Sequence, residues 1–211
     1  MEKAQLVRRT LQTLSKLEVR ENPPGQKKSR TITGYAILFN KRSNALYSDD
    51  QEEDYEVIAP SAVTRSLLDS SDIIMTMFHD RQLLLARSNK GKGTLSYQID
   101  TVGVKFTFES PNTADGDKAL ELVRRGDIAG CSFAFSTYYY DTNYVSRQTE
   151  TIGGKKRTIF TVRRIVGIYD FTLAENPAYP DTSVSARERS KQSRILKQIS
   201  EMREAANQSI I

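Results

Sequence analysis

The amino-acid sequence predicts a mainly β protein of the α+β class, an antiparallel β-barrel of about seven or eight strands with surrounding helices. Alternating apolar and polar runs recur along most of the chain, and they follow one another through short turns instead of alternating with helices. The 211 residues, 38% of them hydrophobic, are enough to bury one substantial core.

The predicted strands are short runs with a two-residue period, bounded by glycine, proline or polar clusters. Residues 94–100 and 104–109 flank a turn and predict a hairpin. The main predicted strands cover residues 31–39, 55–58, 73–78, 94–100, 104–109, 129–140, 158–162 and 168–173.

Four segments show helical spacing of apolar residues. Residues 4–17 and 187–211 are predicted helices at the two ends of the chain. Ser61 is a predicted N-cap for a helix reaching Leu68. Residues 113–125 predict an internal helix that stops at Gly126.

The charge distribution predicts a body with two basic extensions. The net charge is +5, yet residues 1–30 carry eight basic and three acidic groups, and residues 185–211 carry six and three. The 154 residues between them are slightly acidic. We therefore divide the chain into a helical, basic N-terminal extension with a linker (1–30), a central domain (31–184) and a C-terminal amphipathic tail (185–211).

Composition argues against several classes of function. No run approaches the roughly 20 apolar residues of a membrane span, and no signal sequence is evident, so an intracellular protein is expected. One cysteine and one histidine exclude a disulfide framework and a cysteine-rich zinc site. Basic ends without a recognition fingerprint do not predict specific nucleic-acid binding. We expect no metal and no organic cofactor.

Three polar residues on predicted strands are candidates for a catalytic site. His79, the only histidine, closes the apolar run 73–78, and histidine is the side chain that titrates near neutrality. Ser132 and Asp170 lie within later strands. A serine nucleophile needs a base and a group that orients the base. From the residues alone, the simpler alternative of a strand-end histidine and a packed serine stays open.

Five blocks of sequence occur in an order that resembles the tailed-phage (caudovirus) prohead protease family. The resemblance covers roughly residues 31–184, and the order of the blocks makes it specific. The blocks are Gly34-Tyr35-Ala36 with Phe39-Asn40, Glu56-Val57-Ile58-Ala59-Pro60, Phe78-His79-Asp80, Gly130-Cys131-Ser132-Phe133-Ala134-Phe135 and Asn176-Pro177-Ala178-Tyr179-Pro180-Asp181-Thr182.

This resemblance implies an assemblin-like capsid maturation serine endopeptidase, with Ser132 as nucleophile and His79 as general base. Assemblin-like relatives of herpesviruses use a second histidine, which this chain lacks, so an acid must replace it. We prefer Asp170, and Glu175 is the rival. A cysteine protease that uses Cys131 is a further variant, although a cysteine next to Ser132 on a strand is expected to face the opposite side.

The implied substrates are the major capsid protein and the scaffold protein, cut inside the assembling procapsid in the host cell cytoplasm. The resemblance also implies self-cleavage, and self-association is a further expectation. The alternative is a non-enzymatic β-rich capsid assembly module that packs through its ends, for which neither Ser132 nor His79 would matter.

Overall fold

The computed structural model describes residues 4–11, 17–24 and 29–175. Within these ranges the protein is mainly β, as predicted, with two α-helices and one 3-10 helix. The strands, in chain order, are β1 (Gln5–Leu11), β2 (Glu18–Val19), β3 (Thr31–Leu38), β4 (Tyr47–Ser48), β5 (Glu52–Ile58), β6 (Asp72–Met77), β7 (Asp80–Asn89), β8 (Lys92–Gly93), β9 (Leu95–Ile99), β10 (Gly103–Glu109), β11 (Ile128–Thr137), β12 (Val145–Ile152), β13 (Lys155–Val162) and β14 (Gly167–Glu175).

These strands form three sheets. The first sheet has the order β1-β11-β14-β6-β7-β8, the second β2-β3-β10-β9 and the third β12-β13-β5-β4. Hydrogen bonding does not close a ring among the described residues, so the predicted closed barrel is not confirmed. Two pairings, β14 with β6 and β13 with β5, are parallel, whereas we predicted an antiparallel arrangement throughout. Non-local pairing of this kind leaves no local pattern in a sequence.

The predicted helix over residues 4–17 is wrong in its described part, because β1 is a strand that pairs with β11 along its whole length. Helical spacing over so few residues is a weak preference, and backbone hydrogen bonds to a distant strand override it. The strand number was also underestimated, partly because β2, β4 and β8 are only two residues long. The domain boundaries stay a prediction.

Both internal helices begin at a threonine. The Thr64 side chain accepts a hydrogen bond from the Leu67 amide at the start of α1 (Arg65–Ser70). The helix predicted from Ser61 is therefore divided into a 3-10 turn, Pro60–Ala62, and α1. The internal helix prediction is confirmed as α2 (Ala114–Arg125), capped by Thr113. The predicted 187–211 helix lies outside the described residues.

The main core lies between the first and second sheets. The ring of Phe106, on β10, is 6.5 Å from that of Phe171, on β14, between centroids. Phe133, opposite Phe171 on β11, is fully buried as well. Because side chains alternate across a strand, the even-numbered neighbours Ser132 and Thr172 face the other side of the first sheet. That face carries the candidate site.

Candidate active site

Ser132 lies in the middle of β11, a strand of small and aromatic residues that is buried along almost its whole length. Its neighbours across the sheet are Thr172 on β14 and Thr10 on β1. The residue is fully buried. Two strands therefore fix the backbone that carries the hydroxyl.

Asp170 lies on β14, the strand between β11 and β6. Its partners in the sheet are Ala134 on β11 and Ile74 on β6. The side chain is 13% exposed. Asp170 and Ser132 thus lie on adjacent central strands, and both are held by strand backbone and not by a loop.

His79 is the second residue of a two-residue turn that joins β6 to β7. Both turn residues, Phe78 and His79, have positive φ values, 56° and 58°. Paired positive φ values are typical of tight hairpin turns, but glycine or asparagine usually occupies them, and other side chains raise the energy of this conformation. The backbone at His79 is therefore held by contacts outside the turn.

Strand β14 supplies these contacts. The Phe78 amide donates to the carbonyl of Leu173 (3.0 Å), and the His79 amide donates to Thr172 Oγ1 (2.9 Å). Thr172 Oγ1 also accepts a hydrogen bond from Thr76 Oγ1 at 2.9 Å. Both threonines are fully buried. Neither was singled out in the sequence, although the two-residue spacing from Asp170 places Thr172 on the same face.

The imidazole of His79 bridges the serine and the aspartate. Nε2 lies 2.7 Å from Ser132 Oγ, and Nδ1 lies 3.0 and 3.2 Å from the two carboxylate oxygens of Asp170. An ionised carboxylate only accepts hydrogen bonds, so in the neutral imidazole Nδ1 carries the proton and Nε2 accepts from the serine hydroxyl. This tautomer is the one that can remove a proton from Ser132.

Cys131 lies next to Ser132 but faces the core. Its thiol is fully buried and donates to the backbone carbonyl of Ser132 (3.4 Å), and burial raises its pKa well above the ordinary value of 9.0. A thiolate, the reactive form, is therefore strongly disfavoured.

The two other acids near the site differ in how they are placed. The Asp80 carboxylate accepts a hydrogen bond from the Gln82 amide and so stabilises the first residues of β7. Glu175 ends β14 five residues beyond Asp170, and its side chain lies outside the described residues. Among the described acids, Asp170 is the one that contacts His79.

Comparison with known proteins identifies the family. The model of the caudovirus prohead serine proteases matches residues 15–196. The chain belongs to this family. It is therefore a prohead protease of the serine class, acting in the assembling procapsid, and no observation favours a non-enzymatic assembly module.

A search of the solved structures finds similarity to the bacteriophage T4 capsid assembly protease gp21, at 12% sequence identity and a TM-score of 0.43. The match covers 80% of this chain and 99% of that one. A search of the curated proteins finds no match.

The described residues contain neither a membrane-spanning helix nor a cluster of metal-binding side chains. No helix there is long and apolar enough to cross a membrane. No group of three or more histidine, cysteine or acidic side chains is arranged there to hold a metal ion. The prediction of a protein without metal or cofactor stays a prediction.

Proposed function

We propose that this prohead protease hydrolyses peptide bonds through a Ser132-His79-Asp170 triad. The observation that carries the proposal is the bridging position of His79, with one ring nitrogen 2.7 Å from Ser132 Oγ and the other 3.0 Å from Asp170 Oδ1. Those distances lie within the range that proton transfer requires.

In the proposed first half-reaction, Ser132 Oγ attacks the carbonyl carbon of the scissile bond while its proton passes to His79 Nε2. Asp170 accepts the Nδ1 hydrogen bond throughout and stabilises the imidazolium without taking the proton. His79 then donates that proton to the leaving amine, and an acyl-enzyme ester remains on Ser132.

In the second half-reaction, water attacks the ester after losing a proton to His79. The tetrahedral intermediate collapses, the proton returns to Ser132 Oγ, and the new carboxyl terminus leaves. The chemistry that we propose is complete with these three side chains and water.

The substrates that we propose are the major capsid protein and the scaffold protein, with cleavage of the chain itself as an additional reaction. They would be met inside the procapsid, in the host cell cytoplasm. The corresponding fold would be an assemblin-like barrel. The described residues form three sheets that do not close into one.

The test compares wild-type, Ser132→Ala and Cys131→Ala proteins incubated with the capsid and scaffold proteins and analysed by intact mass. Ser132→Ala should give no products, while Cys131→Ala should give the wild-type products, because the buried thiol faces away from His79. Products from a folded Ser132→Ala protein would overturn the assignment of the nucleophile. Products lost only in Cys131→Ala would favour the cysteine variant.

A further inference from the structure

Strand β1 lies along the outer edge of β11, the strand that carries Ser132. The pairing is antiparallel and runs from Gln5 opposite Thr137 to Leu11 opposite Cys131. It places Thr10 directly opposite Ser132. In the sheet order β1 is the terminal strand, so it occupies the edge of β11 that β14 does not use.

The direction of β1 is that of a peptide approaching a nucleophile. Extended peptides commonly bind by adding a strand to a sheet edge. Along β11, β1 starts beside Thr137 and reaches Ser132 at its C-terminal end. A substrate that ran the same way would pair the residues before its scissile bond with residues 133–137 and bring the scissile carbonyl to Ser132.

Only one strand can use the backbone donors and acceptors of that edge, because each group forms one ladder bond at a time. The burial of the site agrees with an occupied edge. Ser132 is fully buried, and the His79 side chain is 23% exposed. Attack requires a carbonyl carbon within about 3–3.5 Å of Oγ, so part of the structure around the buried hydroxyl must move before a substrate can reach it.

We propose that β1 fills the position on β11 where an extended substrate would bind, and that its release from β11 opens the site to such a peptide. This inference rests on the proposed function, since it assigns the regulation of the same serine. Residues 5–11 would compete with substrate at the edge of β11 and keep the enzyme slow until they leave. The alternative is a permanent edge strand that only protects the sheet from unwanted pairing.

The first test replaces Arg8 and Arg9 together by proline. Successive backbone N–H groups point to opposite edges of a strand, so one of these two residues faces β11, and proline has no N–H to donate. The matched control, Arg8→Ala with Arg9→Ala, removes the same two charges but keeps both N–H groups. The proline variant should cleave capsid and scaffold proteins about tenfold faster than wild type, and the alanine control at the wild-type rate.

The second test locks β1 in place with the pair Leu6→Cys and Ser136→Cys. These residues are opposite each other in the ladder, at a spacing that a disulfide can bridge, and Cys131 is buried away from them. The oxidised protein should be inactive and should regain activity on reduction. The single variant Ser136→Cys should not respond to reductant.

A binding measurement separates this inference from the proposed function. In a Ser132→Ala background, a fluorescent synthetic peptide copying residues 1–14 should bind the proline variant and not the alanine control, as followed by anisotropy. Equal binding to both, or cleavage rates unchanged by both the prolines and the lock, would overturn the inference even if the enzyme is active. Selective binding without cleavage by any variant would support the inference and count against the proposed function.

Discussion

The first and third sheets both bring acidic and basic side chains into contact, but they differ in how many partners each side chain has. In the third sheet, Glu53 on β5 contacts Arg157 (3.1 Å) and Lys155 (3.5 Å) on β13 and accepts from the Tyr55 hydroxyl (2.9 Å). In the first sheet, His79 has one partner for each ring nitrogen.

The difference is one of redundancy. Arg157 is directly opposite Glu53 in the parallel ladder, and the adjacent pair Glu52 and Lys156 repeats the arrangement. Loss of one of these contacts leaves others to replace it. In the first sheet, each ring nitrogen of His79 has a single side-chain partner. Removal of one acceptor should therefore have a large effect on activity in the first sheet and a small effect on stability in the third.

Asp170→Asn should have the largest effect, a fall in kcat of about 10⁴-fold. The asparagine amide can donate to Nδ1, which moves the imidazole proton to Nε2, where it blocks acceptance from Ser132. The measurement is steady-state cleavage of a capsid-derived peptide, with the unfolding midpoint followed in parallel. The matched control is Asp80→Asn, one residue after the histidine, which should keep the wild-type kcat. A fully active Asp170→Asn protein would remove Asp170 from the proposed triad.

Thr172→Val should have an intermediate effect. Valine has the same shape but cannot accept the hydrogen bonds from the His79 amide and Thr76, so the free energy of unfolding should fall by about 1–3 kcal/mol. If Thr172 positions His79, kcat should also fall by about 10- to 100-fold while KM stays near the wild-type value. Thr172→Ser should restore both quantities. A variant with lower stability and unchanged kcat would show that Thr172 is only structural.

Glu53→Gln should have the smallest effect, with wild-type kcat and only a slight change in the denaturation midpoint at neutral pH. Hydrogen bonds from Tyr55 and Arg157 lower the pKa of Glu53 below its ordinary value of 4.5. The stabilisation is therefore present above pH 4.5 and is lost as the pH falls through the lower folded-state pKa. Midpoints of wild type and Glu53→Gln should converge in that acidic range. A midpoint difference that persists at low pH would contradict this account.

The sequence predicted the strands that carry the site better than their arrangement. Residue type and local alternation identified three candidates: His79, Ser132 and Asp170. In the structure, Ser132 and Asp170 lie on strands, and His79 lies directly before one. Their convergence depends on the pairing of β14 with both β11 and β6. Pairing between segments so distant leaves no local signature.

The same limit explains the failure at β1. The spacing of apolar residues near the N-terminus satisfied a helical period, and the competing partner, β11, begins more than a hundred positions later. Thr172 was missed for a different reason. A threonine inside a strand is ordinary in sequence, and only the structure shows that its hydroxyl accepts a hydrogen bond from the His79 amide.

The order of β6, β11 and β14 along the chain has a consequence for synthesis on the ribosome. His79 is separated from Ser132 by 53 positions and from Asp170 by 91, and β14 is the last described strand. Domains emerge N-terminal end first, so a nascent chain holds the histidine long before Asp170, its hydrogen-bond partner. On the proposed mechanism, incomplete products of translation should lack proteolytic activity, and the proposed capsid substrates would be spared premature cutting.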